Sequence, residues 1–255
     1  MKVVLITGST SGIGLGIANE FAKEGYDIAL NGLEENGDEI AADLAARHLV
    51  KCRFFAGNLQ FPEQVESLVK SVELSFGKID VLVNNAGIQF VSPIEDFPTA
   101  KWDAIIAINL NSVFHASKAV WLGMKQRGFG RIINIASAHG LVASEYKGAY
   151  VAAKHGVVGF TKVLGLEGAN LGITANAICP GYVRTPLVEK QISEQALAHG
   201  ISEDEVISKI MLEKHAIKNF VSIESIGRLA LHLASEYGDL ITGTAIPVDG
   251  GWLAK

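Results

Sequence analysis

The sequence predicts a doubly wound α/β fold, in which a parallel sheet of about seven strands carries helices on both faces. Short runs rich in Val, Ile and Leu recur along the chain, and segments with helical apolar spacing separate them. Such alternation requires right-handed crossovers between parallel strands. A chain of 255 residues, 49% of them hydrophobic, is long enough to bury a substantial core. We therefore expect one domain that spans residues 1–255.

The strand candidates follow the apolar runs. They cover residues 3–7, 27–31, 53–56, 81–84, 131–136, 173–178 and 244–248. A helical pattern is plainest after the third run, where Val65, Leu68, Val72 and Phe76 recur at three and four residues. Only the stretch of about 185–221 departs from the alternation of strands and helices, because it is polar and helix-prone and contains no strand. We interpret it as a helical flap over the substrate; a surface decoration without function is the alternative.

Composition argues against several classes of partner. The net charge is -5 and no basic run occurs, which argues against nucleic acid because phosphate binding needs clustered Lys and Arg. No stretch reaches the ~20 apolar residues of a membrane span, and the residues before Thr7 are too few for a signal peptide. We expect a cytoplasmic protein with no membrane partner. Cys52 and Cys179 lie in apolar, strand-like contexts and are expected to be reduced.

A glycine-rich turn, T-G-S-T-S-G-I-G at residues 7–14, follows the first strand and leads directly into a helical pattern. Glycines at such a turn let the backbone approach a pyrophosphate, whose charge the helix N-terminus stabilises. The fourth strand ends in N-N-A-G at residues 84–87, at the same edge of the sheet. Ligands bind at this edge in open α/β sheets. The turn predicts a dinucleotide site; an ordinary structural turn is the alternative.

Four motifs occur together in one order. They are T-G-x-x-x-G-x-G, N-N-A-G, a serine thirteen residues before Y-x-x-x-K, and Pro180-Gly181. In this combination the sequence resembles the short-chain dehydrogenase/reductase superfamily along nearly the whole chain. The resemblance implies a Rossmann-type domain that binds NAD or NADP across the strand ends.

The cofactor-binding residues are predicted from the turn and from this resemblance. They are Gly8, Thr10, Ser11, Gly12, Ile13, Gly14, Leu33, Asn58, Leu59, Asn85, Ala86, Gly87, Tyr150, Lys154, Pro180, Gly181, Val183 and Thr185. The family's usual acid is missing from the tip of the second strand, although Glu34 and Glu35 follow closely. No Arg or Lys stands at Ser9, Thr10 or Gly32 to neutralise a 2′-phosphate, and nearby carboxylates would repel one. We therefore expect NAD rather than NADP.

The predicted catalytic residues are Asn109, Ser137, Tyr150 and Lys154. Tyr150 and Lys154 are four residues apart in a helical pattern and share one face. We expect the lysine and a positive nicotinamide to lower the tyrosine pKa from about 10, so that Tyr150 acts as the general base in alcohol oxidation. Ser137 is predicted to hydrogen-bond the substrate oxygen. The resemblance implies that Asn109 supports a water in a proton relay to the lysine.

Five residues near this group are candidates for substrate binding. Lys147 and, when protonated, His139 supply positive charge, while Gln89 and Gln191 supply amide donors. Donors without an acid partner suit a carboxylate. Trp252 could close an apolar wall against a small alkyl group. Solvated, loop or tail-packing roles are the alternative for each of the five.

Two stretches extend the resemblance to a narrower family. Residues 133–144 and 147–156 (I-N-I-A-S-A-H-G-L-V-A-S and K-G-A-Y-V-A-A-K-H-G), together with V-R-T-P-L-V-E-K-Q at 183–191, resemble bacterial D-3-hydroxybutyrate dehydrogenases. The resemblance implies that the two glutamines, the histidine and the lysine hold the substrate carboxylate and that the tryptophan meets its methyl end. It also implies oxidation of D-3-hydroxybutyrate to acetoacetate with NAD⁺, in a homotetramer.

Other functions remain open at this stage. The same catalytic residues could serve another carbonyl reductase, acting on a 3-oxoacyl carrier thioester, or a sugar or polyol dehydrogenase. A non-catalytic NAD-sensing protein needs the glycine turn but not Ser137 and Tyr150 together. Metal chemistry lacks support, because the remaining histidines show no paired ligand spacing and are expected in ordinary surface or helix positions. They are His48, His115, His155, His199, His215 and His232.

Overall fold

The computed structural model describes residues 1–254, and at positions 187, 190, 194, 195, 198 and 199 it describes only the backbone. The strands are β1 (Val3–Ile6), β2 (Asp27–Gly32), β3 (Cys52–Ala56), β4 (Val81–Asn84), β5 (Gly130–Ile135), β6 (Ile173–Pro180) and β7 (Ala245–Val248). They form one parallel sheet in the order β3-β2-β1-β4-β5-β6-β7. The predicted doubly wound fold is confirmed, and every predicted strand lies within two residues of an observed one.

The helices connect these strands. They are α1 (Gly12–Lys23), α2 (Gly37–His48), α3 (Pro62–Phe76), α4 (Thr99–Ile106), α5 (Ser112–Arg127), α6 (Gly148–Gly168), α7 (Pro186–His199), α8 (Glu203–Val206) and α9 (Ile223–Ala234). Within residues 1–254, none of them combines the length and apolarity that a membrane crossing requires.

Helices cover both faces of the sheet, which explains why the central strands are buried along their length. All four residues of β1 are buried. Val4 and Ile6 join a core cluster with α1, α2 and α9, whereas Leu5, on the opposite face, packs with α3, α5 and α6. Because successive side chains of a strand point to opposite faces, each residue of β1 meets a helix layer.

The strand order reverses at β1, which has β2 on one side and β4 on the other. A crevice opens at such a reversal, outside the carboxyl ends of the strands. Hydrogen bonds fix the two loops that border it. The Thr7 hydroxyl accepts from the backbone N–H groups of Asn85 (3.0 Å) and Ala86 (3.1 Å). The Asn85 amide donates to the carbonyls of Thr7 (3.0 Å) and Gly8 (2.8 Å).

The stretch between β6 and β7 is helical from its start, as predicted. Thr185 caps α7 by accepting from the backbone N–H of Val188. A π-helical turn at Ile207–Met211 follows α8, and an isolated parallel bridge joins Val221 at the end of the stretch to Val183, just after β6. The stretch has its own small core, formed by Ile192, Val206 and Met211.

Candidate active site

One cavity of about 440 Å³ lies at the carboxyl ends of the strands. It is lined by every residue predicted for cofactor binding, catalysis or substrate binding except Gly14 and Asn109. Residues that are distant along the sequence meet here because parallel strands end at one edge of the sheet. The volume lies within the range of roughly 300–1,000 Å³ that is typical of small-molecule sites.

The glycine turn forms a close-packed cradle at one wall of this cavity. Gly8 and Gly12 have positive φ values of +58° and +53°, which favour glycine. A Cβ on Gly14 would lie 2.3 Å from the Gly8 carbonyl oxygen and 2.6 Å from Asn85 Nδ2. Gly14 therefore does not line the cavity; it lets α1 pack against the loop after β4. The backbone and the N-terminus of α1 fit a pyrophosphate.

The far end of the cavity carries a carboxylate that the predicted site residues did not include. Glu34 accepts a hydrogen bond from the backbone N–H of Leu33 (2.9 Å) and lies beside Thr10 and Gly32. Desolvation alone would raise the pKa of Glu34, but hydrogen bonds from Thr10 and from the backbone lower it below its ordinary value. This end of the cavity therefore holds a negative charge at neutral pH.

Tyr150, Ser137 and Lys154 come together in the middle of the cavity. Tyr150 and Lys154 lie on the first turns of α6, and Ser137 follows β5. The Lys154 ammonium donates to the Ile135 carbonyl (2.7 Å) and lies 5.6 Å from the centre of the tyrosine ring. This group matches the geometry that the sequence predicted, while the role of each member stays a prediction.

The pKa values in this group differ from expectation. Burial raises the pKa of Tyr150, and a hydrogen bond with Ser137 only partly opposes this. Burial also lowers the pKa of Lys154 to about 8. In the protein without a cofactor, desolvation of the phenolate is the largest influence and raises the tyrosine pKa. The expectation that the lysine and a bound, positively charged nicotinamide together lower this pKa stays a prediction.

Asn109 lies behind the cavity wall. It belongs to a π-helical turn, Ala107–Asn111, between α4 and α5. Its side chain is fully buried, accepts from the backbone N–H of Ile88 (2.8 Å) and donates to the Ile88 carbonyl (2.9 Å). Asn109 thus fixes the loop after β4, and the relay that the resemblance implies for it stays a prediction.

The predicted substrate residues lie together at the other end of the cavity. The Gln89 Nε2 is buried and has no hydrogen-bond partner among the described residues. Lys147 donates to the Tyr182 hydroxyl (3.4 Å), and Gln191, on α7, lines the same cavity. Trp252 is buried, with its ring edge-to-face against His139 at 5.2 Å.

His139 is not a source of positive charge here. Burial, followed by the charges of Lys147 and Lys214, lowers the pKa of His139 to about 3. Its Nε2 pairs with the Ser144 hydroxyl (2.9 Å). The ring is therefore neutral at physiological pH and can offer a substrate only a neutral hydrogen bond. Lys147, whose pKa burial and then Lys214 lower to about 8, supplies the cationic charge.

Sequence reasoning missed several residues at this end. Tyr182 lies between two predicted neighbours of the cofactor and stacks on Trp252 at 5.8 Å, so its position in the motif could have indicated it. Ser144 lies in the stretch 133–144 that resembles D-3-hydroxybutyrate dehydrogenases, five residues after His139. His215 was expected at the surface or on a helix but is completely buried beside Trp252. No local pattern marks it.

The family model of the short chain dehydrogenases matches residues 2–196. The chain belongs to the short chain dehydrogenase family. It is accordingly an oxidoreductase that binds a nicotinamide cofactor, and the glycine cradle and the strand-end cavity fit that group. Among the described residues, no cluster of three or more His, Cys, Asp or Glu side chains could hold a metal ion.

The chain is also similar to individual proteins over its full length. A D-beta-hydroxybutyrate dehydrogenase of Rhizobium meliloti (strain 1021) is 50% identical over 100% of this chain and 99% of its own length. A protein of the same name from Cupriavidus necator is 49% identical over 100% of this chain and 98% of its own length. A crystal structure of a variant actinorhodin polyketide ketoreductase with NADPH has a TM-score of 0.93 and 35% identity, covering 98% of this chain and 97% of that one.

The neutrality of His139 is testable by NMR. We expect the ¹⁵N and ¹H signals of its imidazole to show no titration between pH 8 and pH 5, because the pKa is about 3. His139→Gln would assign the signals by their loss. A titration midpoint near the ordinary value of about 6.5 would contradict the assigned burial.

Proposed function

We propose that the protein oxidises D-3-hydroxybutyrate reversibly to acetoacetate with NAD⁺. The charge distribution at the substrate end of the cavity carries this proposal. Of the described residues that line the cavity, Glu34 alone has a carboxylate, and it lies at the opposite end. Lys147, the unpaired Gln89 amide and neutral His139 thus face a space without a counter-charge. A small carboxylate is the ligand that satisfies such donors.

Gln89 provides the most direct support. A buried amide N–H without an acceptor costs free energy, which a bound ligand with a carboxylate oxygen would offset. The Lys147 ammonium, held near Tyr182, adds a charge-assisted hydrogen bond to the same group. Trp252 and Tyr182 form an aromatic wall at this end and leave room for a small alkyl group. A short hydroxy acid meets both requirements.

The catalytic roles that we propose follow from the central group. When bound, the nicotinamide supplies the hydride acceptor for C3 of the substrate. Tyr150 takes the hydroxyl proton, and Ser137 donates to the substrate oxygen. Lys154 is buried and hydrogen-bonded to Ile135. When its amine is protonated, the positive charge favours the phenolate form of Tyr150. General acid–base catalysis of this kind contributes about 10²- to 10⁴-fold in rate.

We propose NAD as the preferred cofactor. The ionised Glu34 lies where the adenosine ribose would reach, and Asn58 and Leu59 border the same end. Among the described lining residues, Lys147 and Lys154 are the basic chains, and both belong to the catalytic and substrate end. A 2′-phosphate would therefore meet a carboxylate and no cation.

The proposal extends to the whole chain. We infer that residues 1–255 act as one dehydrogenase domain and that 185–221 form a flap, which brings Gln191 to the substrate. A homotetramer follows from the family resemblance, and exposed apolar side chains on α5 and α6 such as Leu122 and Leu166 provide surface for assembly. The free thiols of Cys52 and Cys179 suit a reducing cytoplasm.

Lys147→Met tests the carboxylate clamp. We expect the KM for D-3-hydroxybutyrate to rise by about 10- to 100-fold, because a charge-assisted hydrogen bond of about 1.5–3 kcal/mol is lost. The neutral amide 3-hydroxybutanamide should keep its kcat/KM within about threefold. In the unsubstituted protein, the KM for the acid but not for the amide should rise as the pH increases through about 8, where Lys147 loses its proton.

The matched control for this variant is Lys70→Met, on the exposed surface of α3. Steady-state kinetics with both substrates separates the outcomes. An unchanged KM for the acid would refute the clamp, and an equal loss on acid and amide would assign Lys147 a structural role instead.

Glu34→Gln tests the cofactor preference. Removal of the carboxylate should lower the ratio of kcat/KM for NAD⁺ over NADP⁺ by about tenfold, equivalent to about 1.4 kcal/mol of repulsion. Glu35→Gln is the control, because its exposed carboxylate does not line the cavity. A ratio that stays the same in both variants would show that Glu34 does not select against the 2′-phosphate.

A further inference from the structure

His215 is a fully buried histidine that the proposed mechanism does not use. It lies in the segment that returns from the flap toward α9. Its ring fills a space between two turns, since a Cβ on Gly181 would lie 2.9 Å from its Cε1 and a Cβ on Gly250 would lie 3.1 Å from its Nδ1. Neither ring nitrogen has a hydrogen bond to any described residue.

An imidazole in this state requires an explanation. Burial lowers the pKa of His215, although the Asn219 backbone and the Asp249 charge oppose this shift in part. Both ring nitrogens are buried and neither has a hydrogen-bond partner of good geometry among the described residues, which costs free energy. A leucine would fill similar space without that cost. What distinguishes the histidine from a leucine is a flat, rigid ring that can stack on other rings.

The His215 ring belongs to a cluster of four aromatic rings. His215 lies 6.1 Å from Tyr182, nearly parallel to it at 29°, and 5.7 Å from Trp252 at 33°. Tyr182 and Trp252 are parallel within 6° at 5.8 Å, and Trp252 meets His139 edge-on. His139, Tyr182 and Trp252 line the cavity, whereas His215 does not. His215 therefore contacts the wall from behind.

The segment that carries His215 is also anchored to the C-terminal turn. The backbone N–H groups of Ala216 and Ile217 both donate to the Gly250 carbonyl at 2.9 Å. The position of the His215 ring is thus tied to the turn that carries Trp252. Three separate parts of the chain, the turn after β6, the return from the flap and the C-terminal turn, meet at this one ring.

We propose that His215 is a positioning residue that holds Tyr182 and Trp252 in place and so limits the length of the alkyl group that the substrate end accepts. The inference rests on the proposed function, because it assumes a 3-hydroxy acid whose alkyl end meets this wall. A pocket that a rigid wall bounds rejects an added methylene by about 10- to 200-fold. Loss of the support should weaken that rejection.

The test compares three substitutions. His215→Ala removes the ring, His215→Leu keeps most of the volume without a ring, and His215→Phe keeps a ring without its nitrogens. The measured quantity is the ratio of kcat/KM for D-3-hydroxypentanoate over D-3-hydroxybutyrate, with KM and kcat determined separately. His232→Ala is the control, because exposed His232 stacks on Tyr237 and does not line the cavity.

We expect His215→Ala and His215→Leu to raise the ratio of kcat/KM for the longer acid over the shorter one about tenfold, mainly through a lower KM for the longer acid. His215→Phe and the control should keep this ratio within about threefold of the parent value. NADH binding and thermal unfolding show which variants are folded. If the alanine variant does not fold, the contrast between Leu and Phe tests the same idea.

Three outcomes are distinct. If Ala and Leu leave the ratio unchanged while the parent oxidises the four-carbon acid, the role of His215 is refuted and the proposed function stands. If Leu and Phe raise the ratio equally, the ring is not what supports the wall, and the inference is again refuted. If the parent oxidises neither acid, the proposed function itself fails.

Discussion

The crevice between the carboxyl ends of β1 and β4 depends on one set of hydrogen bonds. Thr7 accepts from the loop after β4, and the Asn85 amide spans back to the carbonyls at the end of β1. These bonds hold the glycine turn against the N-N-A-G loop, and Gly14 permits the close packing because any side chain there would meet Gly8 and Asn85. The contact between the glycine turn and the N-N-A-G loop therefore shapes the part of the cavity that both loops line.

Charge divides the cavity into two ends. Glu34 places a carboxylate at one end, while Lys154 in the middle and Lys147 toward the other end place cations. Burial then modifies those charges, since the pKa of each lysine falls to about 8 and that of His139 to about 3. The site thus contains cations that burial makes sensitive to mildly alkaline pH, beside a histidine that stays neutral. In the function that we propose, this arrangement selects both the substrate and the cofactor by the sign of their charge.

Much of the fold could be predicted because its central strands are buried on both faces, so that apolar runs mark them directly. The proximity of Ser137, Tyr150 and Lys154 was also predictable, since these residues have a fixed spacing in sequence, whereas their catalytic roles stay a proposal. The aromatic wall of Tyr182 and Trp252 could not be predicted from the sequence. Tyr182 and His215 meet only through the return of the flap segment, and no periodicity encodes that contact. The charge states of buried side chains could not be predicted from the sequence either, because desolvation depends on neighbours from distant segments.

The most direct measurement is the formation of NADH by the unsubstituted protein, followed by absorbance. The substrates are D-3-hydroxybutyrate, its L enantiomer and 3-hydroxybutanamide, each with NAD⁺ or NADP⁺. We predict faster turnover of the acid than of the amide and faster turnover with NAD⁺ than with NADP⁺, because we propose that the donors near Lys147 bind a carboxylate and that Glu34 repels a 2′-phosphate. Selectivity for the D enantiomer is predicted from the resemblance to D-3-hydroxybutyrate dehydrogenases. Equal or faster turnover of the amide, or a preference for NADP⁺, would contradict the assignment of the two ends of the cavity.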